Sequence, residues 1–261
     1  MEVVNYLLDY IGIFLLVFAR VLGIFVTAPF FNYNSIPLYV KMGLSLFLAA
    51  ILLPTVNIPE AIDLSHFYML LYICAKELIT GMIIGFICYL FLSCVYLAGH
   101  IIDMEIGFSI ASVINPQDDT EIPVMANMLY FVAMLVLLLT NGHHILIRGL
   151  VQSFEMIPLN SLNVNIFMIE KLIGILITTF VISFKIAAPI LAAIFITNVL
   201  LGILARTMPQ MNVFVVGMPL KIFVGLIVMV MIIPLYVGFF EYVFDNMYEN
   251  LKDFLSLVNR G

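Results

Sequence analysis

Residues 67–98 read FYMLLYICAKELITGMIIGFICYLFLSCVYLA, an apolar run whose only charges are the adjacent Lys76 and Glu77. About 20 helical residues cross the roughly 30 Å hydrocarbon core of a bilayer, and this run exceeds that length. It lacks the alternation of a barrel strand, so a helix is the spanning form that fits. Five further segments share its character: Tyr10–Phe30, Leu38–Ile58, Val124–Asn141, Leu172–Val199 and Ile222–Phe240. The runs 67–98 and 172–199 are longer than one crossing requires, which predicts tilt, a kink or an extension beyond the bilayer. Pro189 is the expected kink point. The expected fold class is all-α: a multi-helix integral membrane protein with six long apolar helices in helical hairpins.

The whole chain agrees with this reading. Of its 261 residues, 64% are hydrophobic and 10% charged, with a mean hydropathy of +1.21. Soluble domains run near about 45–50% and 25%. The net charge of −6 removes the electrostatic basis for nucleic-acid binding. Trp is absent, and the 12 Tyr fill the interfacial role the two residues usually share. Cys74, Cys88 and Cys94 lack metal or redox spacing and read as small buried apolar residues. Glu2 and Asp9 precede the first apolar run and no Lys or Arg does, so that segment is expected to be retained rather than cleaved.

The few charges are informative. Arg20 lies mid-segment. The Leu, Ile, Val and Phe residues around it contribute roughly −4 to −8 kcal/mol to insertion, against about +3 for the arginine. The segment therefore inserts, but Arg20 must face protein, water or a partner rather than lipid. Lys185, Lys76 and Glu77 carry the same demand, and Lys76 and Glu77, as helical neighbours, diverge too far to satisfy each other. Placing the N-terminus outside puts Lys41, Arg206 and Lys221 inside but Arg148, Lys171, Lys252 and Arg260 outside, so the positive-inside rule assigns no orientation. Buried charges without a topology signal point to helices that face other subunits. Gly81 and Gly85, spaced as G-x-x-x-G, and Ala188 with Ala192 are candidate close-contact positions.

Two connections stand out. Residues 99–123, GHIIDMEIGFSIASVINPQDDTEIP, hold acids and no Lys or Arg around the apolar patch 106–114. Long, half-apolar loops are usually functional. Residues 200–221, LLGILARTMPQMNVFVVGMPLK, contain a turn at 206–210 and then an apolar run too short to span, which reads as re-entrant or buried. A weak echo relates Pro37-Leu38 and Gly43-Leu44 to Pro219-Leu220 and Gly225-Leu226. In the tail, Phe240, Val243, Phe244, Met247, Leu251, Phe254 and Val258 share one helical face opposite Glu241, Asp245, Glu249 and Asp253, an amphipathic helix expected to pack on protein.

Chemistry-bearing clusters are sparse. His143-His144 diverge on a helix and lack a third ligand, so capping or interface hydrogen bonding is the reading. His100, Asp103 and Glu105 read as a solvated helix end. Met208, Met211 and Met218 belong to 16 Met spread along the chain and read as adaptable packing rather than a copper path. No nucleophile elbow, Walker A or dinucleotide fingerprint is present in the sequence, and no metal site, cofactor or enzymatic activity is expected.

Several stretches together resemble the FliR family of flagellar export-apparatus proteins. They are Gly107-Phe108-Ser109-Ile110-Ala111 with Asn115-Pro116, Asn141-Gly142-His143-His144, Ser153-Phe154 with Pro158, and above all Arg206 to Lys221. Arg20, Pro29, Lys41 and Pro54 extend the resemblance to the N-terminus. It implies one domain over 1–261: N-terminal helices 1–99, a plug loop 100–123, central helices 124–199, and a re-entrant segment, helix and tail over 200–261. It further implies a non-enzymatic subunit that joins FliP-like and FliQ-like subunits in a gate passing unfolded flagellar proteins across the bacterial inner membrane at the basal body. FlhB-like and FlhA-like components, unfolded cargo and membrane lipid are the other implied partners. Many apolar segments would then pack on sister subunits, in many cases above the bilayer plane. By the same resemblance Ile106, Gly107, Phe108, Ser109, Ile110, Ala111, Val113, Ile114, Asn115 and Pro116 form the pore plug. Arg20, Lys185, Arg206, Pro209, Gln210, Asn212, Gly217, Pro219 and Lys221 serve subunit assembly. The alternatives are the equivalent injectisome subunit and, in a different class, a small-molecule or ion transporter using Arg20, Lys185 and the Met cluster.

Overall fold

The computed structural model describes residues 2–28, 37–56, 67–108, 123–162, 165–210 and 212–259. Among them are seven α-helices and no strand: α1 (Glu2–Thr27), α2 (Leu38–Leu52, followed by a 3-10 turn at Leu53–Thr55), α3 (Phe67–Ile106), α4 (Val124–Leu139), α5 (Gly142–Met156), α6 (Ile166–Thr207) and α7 (Val213–Asn259). Five of these helices are long and apolar enough to cross a membrane; counting α4 and α5 as one span gives six. The chain is a multi-span, all-helical membrane protein.

Three boundaries differ from the sequence reading. The first helical run of the 100–123 loop is missing as loop, because α3 continues to Ile106. Residues 200–221 do not form a separate short segment: Leu200–Thr207 completes α6 and Val213 already begins α7. Gly217 and Pro219 look like breakers, yet α7 runs through Pro219 and Pro234, as apolar helices tolerate when neighbouring groups re-satisfy the freed carbonyls. Finally, α5 was not anticipated. Asn141 adopts φ 57°, a left-handed conformation asparagine tolerates, and so ends α4 and starts α5. The echo between 37–44 and 219–226 also lacks a structural counterpart: Pro37 is the N-cap of α2, whereas Pro219 is interior to α7.

The contacts divide into two compact units. The first comprises residues 1–90, 141–176 and 245–261. Its core holds Leu16, Val17 and Val21 of α1, Ile73 and Ile84 of α3, Leu150 and Phe154 of α5, and Met247, Leu251 and Phe254 of α7. Here α1 and α3 approach closely: a Cβ on Gly81 would strike the Arg20 carbonyl oxygen, and Gly23 faces the Gly81 Cα at 3.1 Å from its own Cβ position. The G-x-x-x-G contact anticipated from sequence is therefore made within the chain. The amphipathic tail also packs on its own chain, with Leu251 set against Gly149 and Gln152 donating to the Tyr248 hydroxyl at 3.0 Å. The second unit comprises residues 91–140 and 177–244. Its core holds Phe91, Val95 and Ile102 of α3, Leu129 and Val136 of α4, Ile186 and Ile190 of α6, and Met229 and Phe240 of α7.

Candidate functional site

In the first unit the buried charges form one cluster. Arg20 is fully buried, and its Nε donates to Glu77 Oε2 at 2.6 Å. Its Nη1 donates to the carbonyls of Ser153 and Ile157 at 2.9 and 2.8 Å. Those carbonyls belong to the last turn and C-cap of α5, where the negative end of the helix dipole favours a cation; the Ser153 carbonyl also accepts the Ile157 N–H at 3.0 Å. The guanidinium also sits over the Phe154 ring, 4.5 Å from its centroid. Glu77 Oε1 accepts the Asn160 N–H at 2.8 Å, and Lys76 donates to the Asn160 carbonyl and Oδ1 at 3.3 and 3.4 Å. Asn160 presents these groups from a left-handed turn, φ 64°. One buried ion pair thus ties α1 and α3 to the end of α5. Arg20 meets its own chain, so any part it has in assembly acts through the fold of this unit. Sequence reasoning separated Lys76 from Glu77 correctly but missed Glu77 as the partner of Arg20. The available signal was an acid and a base in different apolar segments, each requiring a counter-charge.

In the second unit the informative group is Asp103. It is 2% exposed rather than part of a solvated helix end. Its Oδ1 accepts the Met125 N–H at 2.9 Å and its Oδ2 the Ala126 N–H at 3.1 Å. These are first-turn donors of α4, which have no intrahelical acceptor; Pro123, the N-cap residue, supplies no side-chain bond. Beside it, Ile106 is the last residue of α3 and is fully buried over Gly225. The structure thus places this expected plug residue in the core, at the end of α3. Gly107 turns the chain with φ 101° and Phe108 is half-buried. The remaining plug residues, Ser109, Ile110, Ala111, Val113, Ile114, Asn115 and Pro116, lie outside the described residues.

Of the other residues expected to serve assembly, Lys185, Arg206, Pro209, Gln210, Asn212 and Pro219 are exposed. Lys185 is exposed on α6 among exposed Val181 and Phe184, and no hydrogen bond or ion pair reaches it among the described residues. Ala188 and Ala192 are exposed on the same helix. Arg206, in the last turn of α6, is exposed, as are Pro209, Gln210 and Asn212 between α6 and α7, while Met211 lies outside the described residues. Gly217 is buried against Leu201, Pro219 is exposed and Lys221 is half-buried. Lys221 borders a cavity of about 330 Å³ with Glu105, Asn198, Leu201 and Met218. Among the described residues, no group of three or more His, Cys, Asp or Glu is placed to hold a metal ion.

The family model of bacterial export proteins, family 1, matches residues 11–247, which takes in both units. A flagellar biosynthetic protein FliR of Bacillus subtilis (strain 168) is 37% identical over 97% of this chain and 98% of its own length. One from Escherichia coli (strain K12) is 31% identical over 95% of each. One from Aquifex aeolicus (strain VF5) is 28% identical over 85% of each.

Proposed function

We infer that this chain, which belongs to the bacterial export proteins, family 1, is a non-enzymatic subunit of the flagellar protein-export gate. In this reading it joins FliP-like and FliQ-like subunits in the inner membrane at the basal body. Together they enclose a channel for unfolded flagellar proteins, with FlhB-like and FlhA-like components as neighbours. The observation that carries the reading is the bare apolar surface of α6 and α7. In their apolar windows only 33% and 17% of positions are buried, against 56% for α1 and α3. Lys185 lies within that surface without a partner among the described residues. A lone cation facing hydrocarbon costs about 2.5–3.5 kcal/mol at mid-span, so a protein surface, not lipid, is the fitting cover.

Exposed Arg206, Pro209, Gln210 and Asn212, with Pro219 and Lys221 near the start of α7, fit a lock between neighbouring subunits. The segment 107–116 serves as the plug. Its small and apolar residues suit closure of a narrow pore by dewetting. Co-purification tests the assembly: the tagged chain is expected to bring down FliP-like and FliQ-like subunits in one complex. A monodisperse, stable chain that recovers neither would overturn it. Deleting Gly107–Asn115 tests the plug: the assembled gate is expected to leak ions or small solutes across the inner membrane, and an unchanged leak sinks the assignment.

A further inference from the structure

Capping a helix is normally a local matter, the N-cap residue bonding a donor two or three positions ahead. At α4 the cap comes from residue 103, with sequence separations of 22 and 23 to the two donors. The main chain of the same residue serves the other end of the connection: the Asp103 carbonyl accepts the N–H groups of Gly107 and Phe108, both at 3.1 Å. Asp103 therefore holds the point where the chain leaves α3 with its carbonyl and the point where it enters α4 with its carboxylate. Two contacts flank this clasp, one between α3 and α4 and one between α3 and α7. Gly99 lies against Ala126 so closely that a Cβ there would be 2.6 Å from the Ala126 nitrogen. Ile106 fills the space over Gly225, where a Cβ would come within 2.5 Å of its side chain.

The chemistry is specific to a carboxylate. Two N–H donors converge on two oxygens, and both bonds are charge-assisted at the positive end of a helix. Asparagine offers one acceptor and would turn a donor toward the second N–H. A Ser, Thr or Asp at position 123 would cap α4 without joining the loop's two ends. Burial of a carboxylate at 103 is the costlier arrangement, and what it adds over a local cap is the tie.

We propose that Asp103 is the positioning residue of the plug: by clasping both ends of the 107–123 connection it fixes where the plug segment is rooted. This rests on the plug reading above, and the experiment separates the two. The leak across the inner membrane is measured per complex recovered with the tagged chain. Asp103→Asn is expected to raise it about tenfold, a change of about 1.4 kcal/mol in the clasped population. A role confined to stability would lower recovery and leave the leak per complex at the parental value. Pro123→Asp, which gives α4 a local cap, is placed in the Asp103→Asn chain to restore recovery where it falls. The leak is expected to persist in that double variant, and its return to the parental value would overturn the clasp. A parental leak in Asp103→Asn beside a leaking Gly107–Asn115 deletion also overturns the clasp and leaves the plug standing. A parental leak in the deletion itself overturns the plug.

Discussion

Arg20 and Lys185 are both basic residues in the middle of apolar helices, and the chain treats them in opposite ways. Arg20 has a carboxylate, two carbonyls and an aromatic face around it, all from its own unit. Lys185 has exposed apolar neighbours and no bond among the described residues. The same intrinsic cost of a cation in an apolar setting is met within the unit in one case and is not met among the described residues in the other. The lesson is that an intramembrane charge marks a contact but does not say whether the contact lies within or between chains. Counter-charges elsewhere in the same sequence have to be tried first.

The comparison breaks most readily at Arg20. Removing one member of a buried pair strands the other and costs about 3–5 kcal/mol. Arg20→Met or Glu77→Gln is therefore expected to lower thermal stability of the detergent-solubilised chain sharply and reduce its accumulation. The Arg20→Met variant is the more severe, because it also removes the donor to the Ser153 and Ile157 carbonyls. Combining Arg20→Met with Glu77→Met should recover part of the loss, since an apolar pair leaves no stranded charge. Melting curves of the three variants decide this. Single variants that melt with the parent would show that the pair is not what joins α1, α3 and α5.

Lys185 sharpens the other half. Lys185→Met removes no hydrogen bond or ion pair among the described residues, so its melting should stay within about 0.5 kcal/mol of the parent. Recovery of the sister subunits in a pull-down should nevertheless fall several-fold, and Lys185→Arg, which keeps the charge, should retain it. Parental recovery with Lys185→Met would mean that this face is not the assembly surface.

The contrast also explains what was legible beforehand. Spanning segments were legible because long apolar runs leave few alternatives, and the tail because seven apolar positions share one face. The helix α5 was overlooked although Leu146, Leu150, Phe154 and Ile157 carry its period and are buried. A reading tuned to lengths near 20 passes over a short, polar-looking helix with His144, Arg148, Gln152 and Glu155 on its other side. The apolar run after the 206–210 turn reads as short because Met218-Pro219 is taken as its end, yet α7 runs through Pro219, as apolar surroundings and neighbours can re-satisfy the freed carbonyls. Asp103 reads from sequence as part of a solvated helix end for another reason. Its partners are backbone N–H groups beyond a long connection, and a backbone donor leaves no mark in a sequence.

A third charge contact gives the smallest effect and separates burial from geometry. Lys171 Nζ lies 3.1 Å from Asp253 Oδ2, only slightly farther than Arg20 from Glu77, but the two side chains are 24% and 66% exposed. Water screens such a pair, and holding two flexible side chains together offsets much of the attraction, so exposed pairs are worth about 0.2–1 kcal/mol. Asp253→Asn is therefore expected to shift the melting temperature only marginally, and added salt should erase even that difference. If Asp253→Asn instead cost as much as Glu77→Gln, distance rather than burial would govern these contacts. The argument that Arg20 is set apart by its enclosure within the chain would then fail.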